Sequence, residues 1–335
     1  MNLFRRSIGK KHHGMFDAWK NPWVCRNQPV RFDAVPHDAD QQARFTPITG
    51  QIMKMNILIT GATGNIGREV IEHFAPASGQ KVVAAVQKFR ENEFAKPVER
   101  RIFDFHDLKT IQAALHGIDI VFLLRPPSIA DIKNVFKPLV EMLKAAGIKH
   151  VVFLSVQGAE NNPLIPHYKI EKLLRESGIP YTFIRPGYFM QNLTTTLRKD
   201  VQRGEIYLPA GKAKFNWVDA ADIGRAIAVV LAQPENHDCK RYVITGREQL
   251  DFEKVAEKIA RITGKPMRFK SPSLPSFFLT KMRQGERFPM IFVLMALHFL
   301  PRFLKSPPLS NDYQMLTGRQ PGTLEDFIKR KMMEI

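Results

Sequence analysis

The run Asn56-Ile57-Leu58-Ile59 leads into Gly61-Ala62-Thr63-Gly64-Asn65-Ile66-Gly67, after which Ile66, Val70, Ile71 and Phe74 recur at helical spacing. Each glycine answers a different steric need. Gly61 permits a tight turn, Gly64 keeps a Cβ out of the path of an approaching phosphate, and Gly67 lets the helix settle close to the strand. A helix start also presents free N–H groups and the positive end of its dipole. The loop, with Thr63, Asn65 and Ile66 inside it, is therefore suited to a diphosphate, and strand, spacing and helix together separate it from a chance cluster of glycines.

A dinucleotide held in this way places its adenosine ribose near the end of the second strand. Proteins that take NAD usually put an Asp or Glu there to accept from the 2′-hydroxyl. Here the position falls near Gln87, with Lys88 and Arg90 following. Those groups attract a 2′-phosphate, so NADP(H) is expected over NAD(H); the plainer reading is that the two cations only solvate a loop. Arg125, in Arg125-Pro126-Pro127 after the fourth strand, is placed to touch the ribose or nicotinamide, and Asp104 and Pro186 complete the expected cofactor set.

Hydride transfer to a carbonyl or quinone leaves an oxyanion that a nearby donor must stabilise. Ser155 closes a strand at the edge where open α/β sheets receive ligands, so it is one candidate, against the reading of a satisfied turn hydroxyl. Tyr168 and Lys172 form a YxxxK pair, the arrangement in which Lys lowers a Tyr pKa, but one such spacing is close to chance in a chain of this size. On a helical wheel the apolar centre lies near Ile170, which turns Tyr168 and Lys172 toward solvent. His167 and Glu171, one turn apart, fall on the flank that reaches the sheet edge. His167 is accordingly expected to face nicotinamide or substrate, with Glu171 as its orienting partner, and a plain helix residue beside Pro166 is the alternative. Tyr188, Phe189 and Asn192 are expected to line a pocket for a flat substrate or else to be ordinary packing.

These side chains need a frame. Strand-like runs at Asn56 to Ile59, Lys81 to Val86, Arg101 to Phe103, Ile118 to Leu124, His150 to Leu154 and Tyr181 to Ile184 alternate with amphipathic stretches that stop at Gly117, Gly147 and Gly178. Repeated βα units of this kind predict an α/β protein, a doubly wound parallel-sheet Rossmann fold. Beyond Ile184 the pattern changes. Gln191 to Ala213 is polar, Asp219 to Leu231 returns as a helix, and Arg241 to Thr245 resembles a strand; a further helix and a Pro- and Phe-rich stretch at Ser271 to Phe278 follow. Residues 188–216 and 247–335 are expected to form a smaller interleaved C-terminal part that binds substrate. Residues 1–54 show no sustained period and predict either a disordered extension or a start at Met53 or Met55.

The formal net charge of +18 raises the question of nucleic acid, but the basic residues are spread along the chain and no basic motif organises them, so none is expected as a partner. Two cysteines, Cys25 and Cys239, fit neither a zinc site nor a disulfide framework, no metal site is suggested, and a reducing cytoplasm fits. No apolar run reaches the roughly 20 residues a membrane span requires. Phe288 to Leu300 comes nearest; it reads as a buried helix or pocket lid, with a membrane-surface helix as the other reading.

The glycine loop, Ser155, the segment Arg185-Pro186-Gly187-Tyr188-Phe189-Met190-Gln191-Asn192, Trp217-Val218-Asp219, and Leu316-Thr317-Gly318-Arg319 ahead of Thr323-Leu324-Glu325-Asp326-Phe327 resemble the NmrA-like branch of atypical short-chain dehydrogenase/reductases. The resemblance runs from about Met55 to the C-terminus. It implies a Rossmann fold and NADP(H), and a His167 and Glu171 pair matches what such reductases carry on this helix. It implies one of two functions: a reductase of quinones, dyes or unsaturated carbonyl compounds, or a non-catalytic NADP(H)-binding redox sensor. The reductase is preferred, as a monomer or homodimer acting on a small molecule, and a sugar-nucleotide epimerase is disfavoured because Tyr168 faces outward.

Overall fold

The computed structural model describes residues 55–76, 80–90 and 93–333. Readings that fall on residues 1–54, among them Cys25 and the start at Met53, lie outside the described residues. From Met55 the chain alternates as expected: β1 (Asn56–Ile59), α1 (Asn65–His73), β2 (Lys81–Val86), β3 (Glu99–Ile102), α2 (Leu108–Leu115), β4 (Ile120–Leu124), α3 (Lys137–Ala145), β5 (His150–Leu154), α4 (Pro166–Ser177) and β6 (Tyr181–Pro186). The remainder adds β7 (Tyr188–Phe189), α5 (Arg198–Gln202), β8 (Glu205–Tyr207), β9 (Phe215–Val218), α6 (Ala220–Ala232), β10 (Lys240–Ile244), β11 (Gln249–Leu250), α7 (Phe252–Thr263), β12 (Arg268–Lys270), α8 (Leu274–Arg283), α9 (Phe288–Phe299), α10 (Asp312–Thr317) and α11 (Leu324–Lys331).

The strands order as β10-β6-β5-β4-β1-β2-β3, every neighbouring pair parallel. This is a Rossmann-type doubly wound sheet. The order reverses between β1 and β4, which opens a crevice at their carboxyl ends. Central strands are apolar on both faces because helices cover both: all five residues of β5 are buried. At the edge, β3 begins with the exposed Glu99 and Arg100, so its apolar signal catches only the second half and the strand starts two residues before the expected Arg101.

Two apolar clusters hold the chain. One joins β1, β2, β4 and α1 to α6, with Ile57, Val70, Phe122 and Ile227 inside it. The other gathers Tyr188, Trp217, Phe252, Phe277, Leu294 and Phe327 from the later elements. Truncating a fully buried Leu, Ile or Phe in either costs about 2–5 kcal/mol. The Pro- and Phe-rich stretch is not irregular: Ser273 caps the amide of Ser276 and Pro275 sits in the first turn of α8, so residues that read as breakers start a helix.

Candidate functional site

The expected phosphate loop lies at the crevice. Gly61 adopts φ +61°, a left-handed conformation that disfavours a Cβ, and a Cβ on Gly67 would come within 2.3 Å of the Gly61 carbonyl and 2.6 Å of Ala62 Cα. Gly67 thus holds α1 against the loop. The Gly64 N–H donates to the Gly61 carbonyl at 3.0 Å, and Arg68 Nε donates to the Thr63 carbonyl at 2.8 Å. No side chain caps α1 and no acidic residue sits in its first turn. The helix start, with Asn65 exposed and Ile66 buried beneath, keeps its donors for an anion.

Beside it a cavity of about 180 Å³ is lined by Gly61, Thr63, Gln87, Lys88, Arg90 and Pro126. Loop and second-strand cations, inferred separately along the chain, share one wall. Four further lining residues were not among the expected site residues: Ala85, Glu93, Phe103 and Phe105. The two Phe rings meet edge to face at 5.1 Å and form an apolar wall. Glu93 carries a buried carboxylate oxygen without a hydrogen-bond partner. Asp104, between the two Phe, accepts at Oδ1 from the His106 amide at 2.9 Å.

Arg125 follows β4. Its Nη1 donates to the carbonyls of Pro126, Pro127 and Ile129 at 3.0, 3.2 and 2.7 Å, while its buried Nε has no partner. The side chain is therefore pinned through Nη1, with the Nε donor unused. His167 packs its ring against Phe153 at 6.2 Å. Burial, then the nearby charge of Arg125, push His167 down to about 3, so the imidazole is neutral at physiological pH. Its ring forms no hydrogen bond with any described residue.

Glu171 corrects the expected pairing. It is fully buried, and its oxygens accept from Ser155 Oγ at 2.6 Å, from Arg185 Nε and Nη2 at 2.9 and 2.6 Å, and from Arg175 Nη1 at 3.2 Å. Its partners are thus Ser155 and two arginines, not His167. Ser155 is corrected with it: the hydroxyl proton points to Glu171 and is not free for an oxyanion. Arg185 also bridges to Glu160 at 3.0 Å. The reason is topological, since α4 lies over β5 and β6, and a buried carboxylate must find a cation there. Lys172 is exposed and pairs with Glu176 at 3.8 Å, whereas Tyr168 is half-buried, as His167 is, with the Arg175 guanidinium over its ring.

Tyr188 packs inside the second apolar cluster. Its ring is buried against Phe215, Trp217 and Phe252, and its hydroxyl lies 2.9 Å from His298 Nε2. Nδ1 of His298 sits 2.7 Å from the Leu294 carbonyl, which can only accept, so Nδ1 carries the proton and Nε2 accepts from Tyr188. Burial raises the Tyr188 pKa, and a hydrogen bond from Asn192 opposes the rise. Phe189 is half-buried against the first cluster, and Pro186 ends β6 with its carbonyl accepting from the Gln157 amide at 2.9 Å. The segment around Tyr188 ties the sheets together: Gln191 donates to Asp219 at 2.8 Å and accepts from the Ala220 amide at 2.9 Å. Among the described residues no group of His, Cys, Asp and Glu could hold a metal, and no helix is long and apolar enough to cross a membrane.

A doubly wound sheet with an uncapped helix start, a glycine cradle and a crevice at the strand reversal defines a dinucleotide-binding protein of the NAD(P) type. Residues 53–298 match the NmrA-like family, and the chain belongs to it. It is similar to prestalk A differentiation protein A of Dictyostelium discoideum, 30% identical over 281 residues that span 82% of this chain and 92% of that protein. It is likewise 30% identical over 281 residues to an NAD(P)H azoreductase of Xenophilus azovorans, across 82% of this chain and 96% of the other. Among solved structures, the Citrobacter sp. triphenylmethane reductase complexed with NADP(H) superposes with a TM-score of 0.72 at 25% identity, over 83% of this chain and all of that one.

Proposed function

We propose that this protein is an NADPH-dependent oxidoreductase that transfers hydride to a quinone-like, carbonyl or enone acceptor. The observation that carries the reading is the pair of donors beside the crevice, Arg125 Nε and the His167 ring, which the protein itself leaves unused. The relatives named as an NAD(P)H azoreductase and as a triphenylmethane reductase complexed with NADP(H) support it.

Gly61, Gly64, Gly67 and the α1 start bind the diphosphate. Lys88 and Arg90 draw the 2′-phosphate, and Phe103 and Phe105 give an apolar wall to the adenosine end. Glu93 opposes the phosphate, and two cations against one carboxylate leave the balance toward NADP(H). Bound NADPH supplies the hydride. Arg125 and neutral His167 offer N–H groups to the negative charge that develops on the acceptor, in a site where little water competes. His167 acts as a hydrogen-bond donor and not as an imidazolium acid, since burial beside Arg125 removes the charged form. Ser155, through Glu171 and Arg185, positions the end of β5 without touching the acceptor.

The test is NADPH oxidation followed by absorbance against quinones, azo dyes and enones, with Arg125→Met and His167→Phe alongside. Each variant should lower kcat about tenfold or more while leaving NADPH affinity within twofold. Micromolar NADPH binding without turnover of any acceptor would replace the reductase by a redox sensor.

A further inference from the structure

Helix α9 is apolar around its whole circumference, the composition of a buried segment, yet the protein covers only one side of it. Ile291, Leu294 and His298, spaced three and four apart, are buried toward the second cluster. On the opposite side Phe292 is 58% and Val293 57% exposed, and the turn that follows continues the surface with Phe303 at 71% and Leu304 at 68%. Scattered exposed apolar residues need no explanation, but a contiguous face of this kind marks an interaction surface. At 12 residues α9 is too short to span a bilayer, so whatever meets this face meets it side on.

Charge decides the occupant. Arg283, Arg287, Arg302 and Lys305 flank α9 and its following turn along the chain, all exposed and none in an ion pair with a described residue, and Arg302 lies over the Phe299 and Phe303 rings. Glu286 is the only acid among residues 283–305. A second copy docked through the same face would bring one basic rim against another, because an isologous contact repeats the patch on both sides. Residues 1–54 complement it no better, carrying nine Lys and Arg against four Asp. An anionic bilayer answers both features at once, with acyl chains for the Phe, Val and Leu side chains and lipid headgroups for the cations. The net charge of +18 adds long-range attraction to the same surface.

We propose that α9 and the turn through Leu304 form an anionic-membrane-binding face on which the protein lies peripherally. The inner stripe of α9, through His298 and Tyr188, joins this face to the cluster around Trp217 and Phe252, so the later part of the chain rests on the lipid side. The inference stands apart from the reductase reading, since its test uses no turnover.

The full chain is sedimented with vesicles of phosphatidylcholine containing phosphatidylserine and with vesicles of phosphatidylcholine alone. Binding to the first and not the second is expected, weakening as salt rises. Arg287→Gln with Lys305→Gln should lower the partition coefficient about fivefold per charge removed. Phe292→Glu with Val293→Glu should abolish binding, while both double variants keep the parent's melting temperature and NADPH affinity. Equal binding to both vesicle types, or none to either, overturns the proposal. So does a dimer in sedimentation velocity that Phe292→Glu with Val293→Glu converts to monomer without any vesicle binding by the parent, and so does vesicle binding that appears only once residues 1–54 are removed.

Discussion

The glycine edge and the polar cluster between β5, α4 and β6 are both built from charged and hydrogen-bonding groups, yet they treat them in opposite ways. At the edge, the α1 start is uncapped, and the exposed side chains of Lys88 and Arg90 line open space. In the cluster, Glu171 has Ser155, Arg175 and Arg185 around it, and Arg185 reaches Glu160 as well. A group left unpaired at a crevice can be completed by a ligand; a group completed from within holds the fold. This contrast is what supports the proposed division, with binding at the edge and Ser155 and Glu171 as support.

Acid should strain the interior most. Burial lowers His150 and His298 to about 4 and His167 to about 3, while the unfolded chain titrates near 6.5. A folded pKa held below the unfolded value means the unfolded state takes up protons first as pH falls. Stability is therefore complete above pH 6.5 and declines steadily toward pH 4, with about three protons absorbed on unfolding. Thermal melts across that window measure it, and a flat melting temperature would show that these rings are not buried neutral. Over the same range above pH 5.5, kcat should show no inflection from His167.

Removing one member of the buried pair comes next. Arg185→Met leaves the Glu171 carboxylate with only Arg175 as cation and should cost about 3 kcal/mol or more in denaturant unfolding. The same variant should leave NADPH affinity within a few-fold, which keeps the two regions separate; a large loss of affinity would merge them. Gly67→Ala tests the edge in turn. Its methyl has no room against the Gly61 carbonyl, so a loss of about 1–3 kcal/mol with a clear fall in NADPH affinity is expected by calorimetry.

Finer contrasts follow within each region. Lys88→Glu should move the NADPH to NADH preference about tenfold toward NADH, and Glu93→Gln should move it the other way by a smaller factor. Unchanged ratios in both would remove these residues from cofactor selection. Ser155→Ala deletes one hydrogen bond to a carboxylate that keeps others, so about 1 kcal/mol of stability and little kcat should be lost. A hundredfold drop in kcat would restore Ser155 to the chemistry.

Within single segments the chain was legible. The expected strands at Asn56–Ile59, Lys81–Val86 and His150–Leu154 coincide with the observed ones, because a short apolar run bounded by turn residues carries its own signal. The glycine loop was legible for the same reason: strand, turn and helix start are contiguous. The wheel, which needs only α4, matches the exposed Lys172, while Tyr168 is half-buried because Arg175 and its neighbours cover the ring. The helix at Leu274–Arg283 was missed because Pro and Ser read as breakers unless the cap geometry is known.

What the amino-acid order determined alone was therefore local: where most strands and helices of the parallel sheet lie, and that the loop from Gly61 to Gly67 suits a diphosphate. Tertiary structure decided the partners. Glu171 belongs to Ser155 and Arg185, Tyr188 belongs to His298 from 110 residues away, and Glu93 shares a cavity with Lys88 and Arg90. Spacing along a helix tells which side a residue faces, but only the packing of neighbouring elements supplies the charge or donor that a buried group must meet.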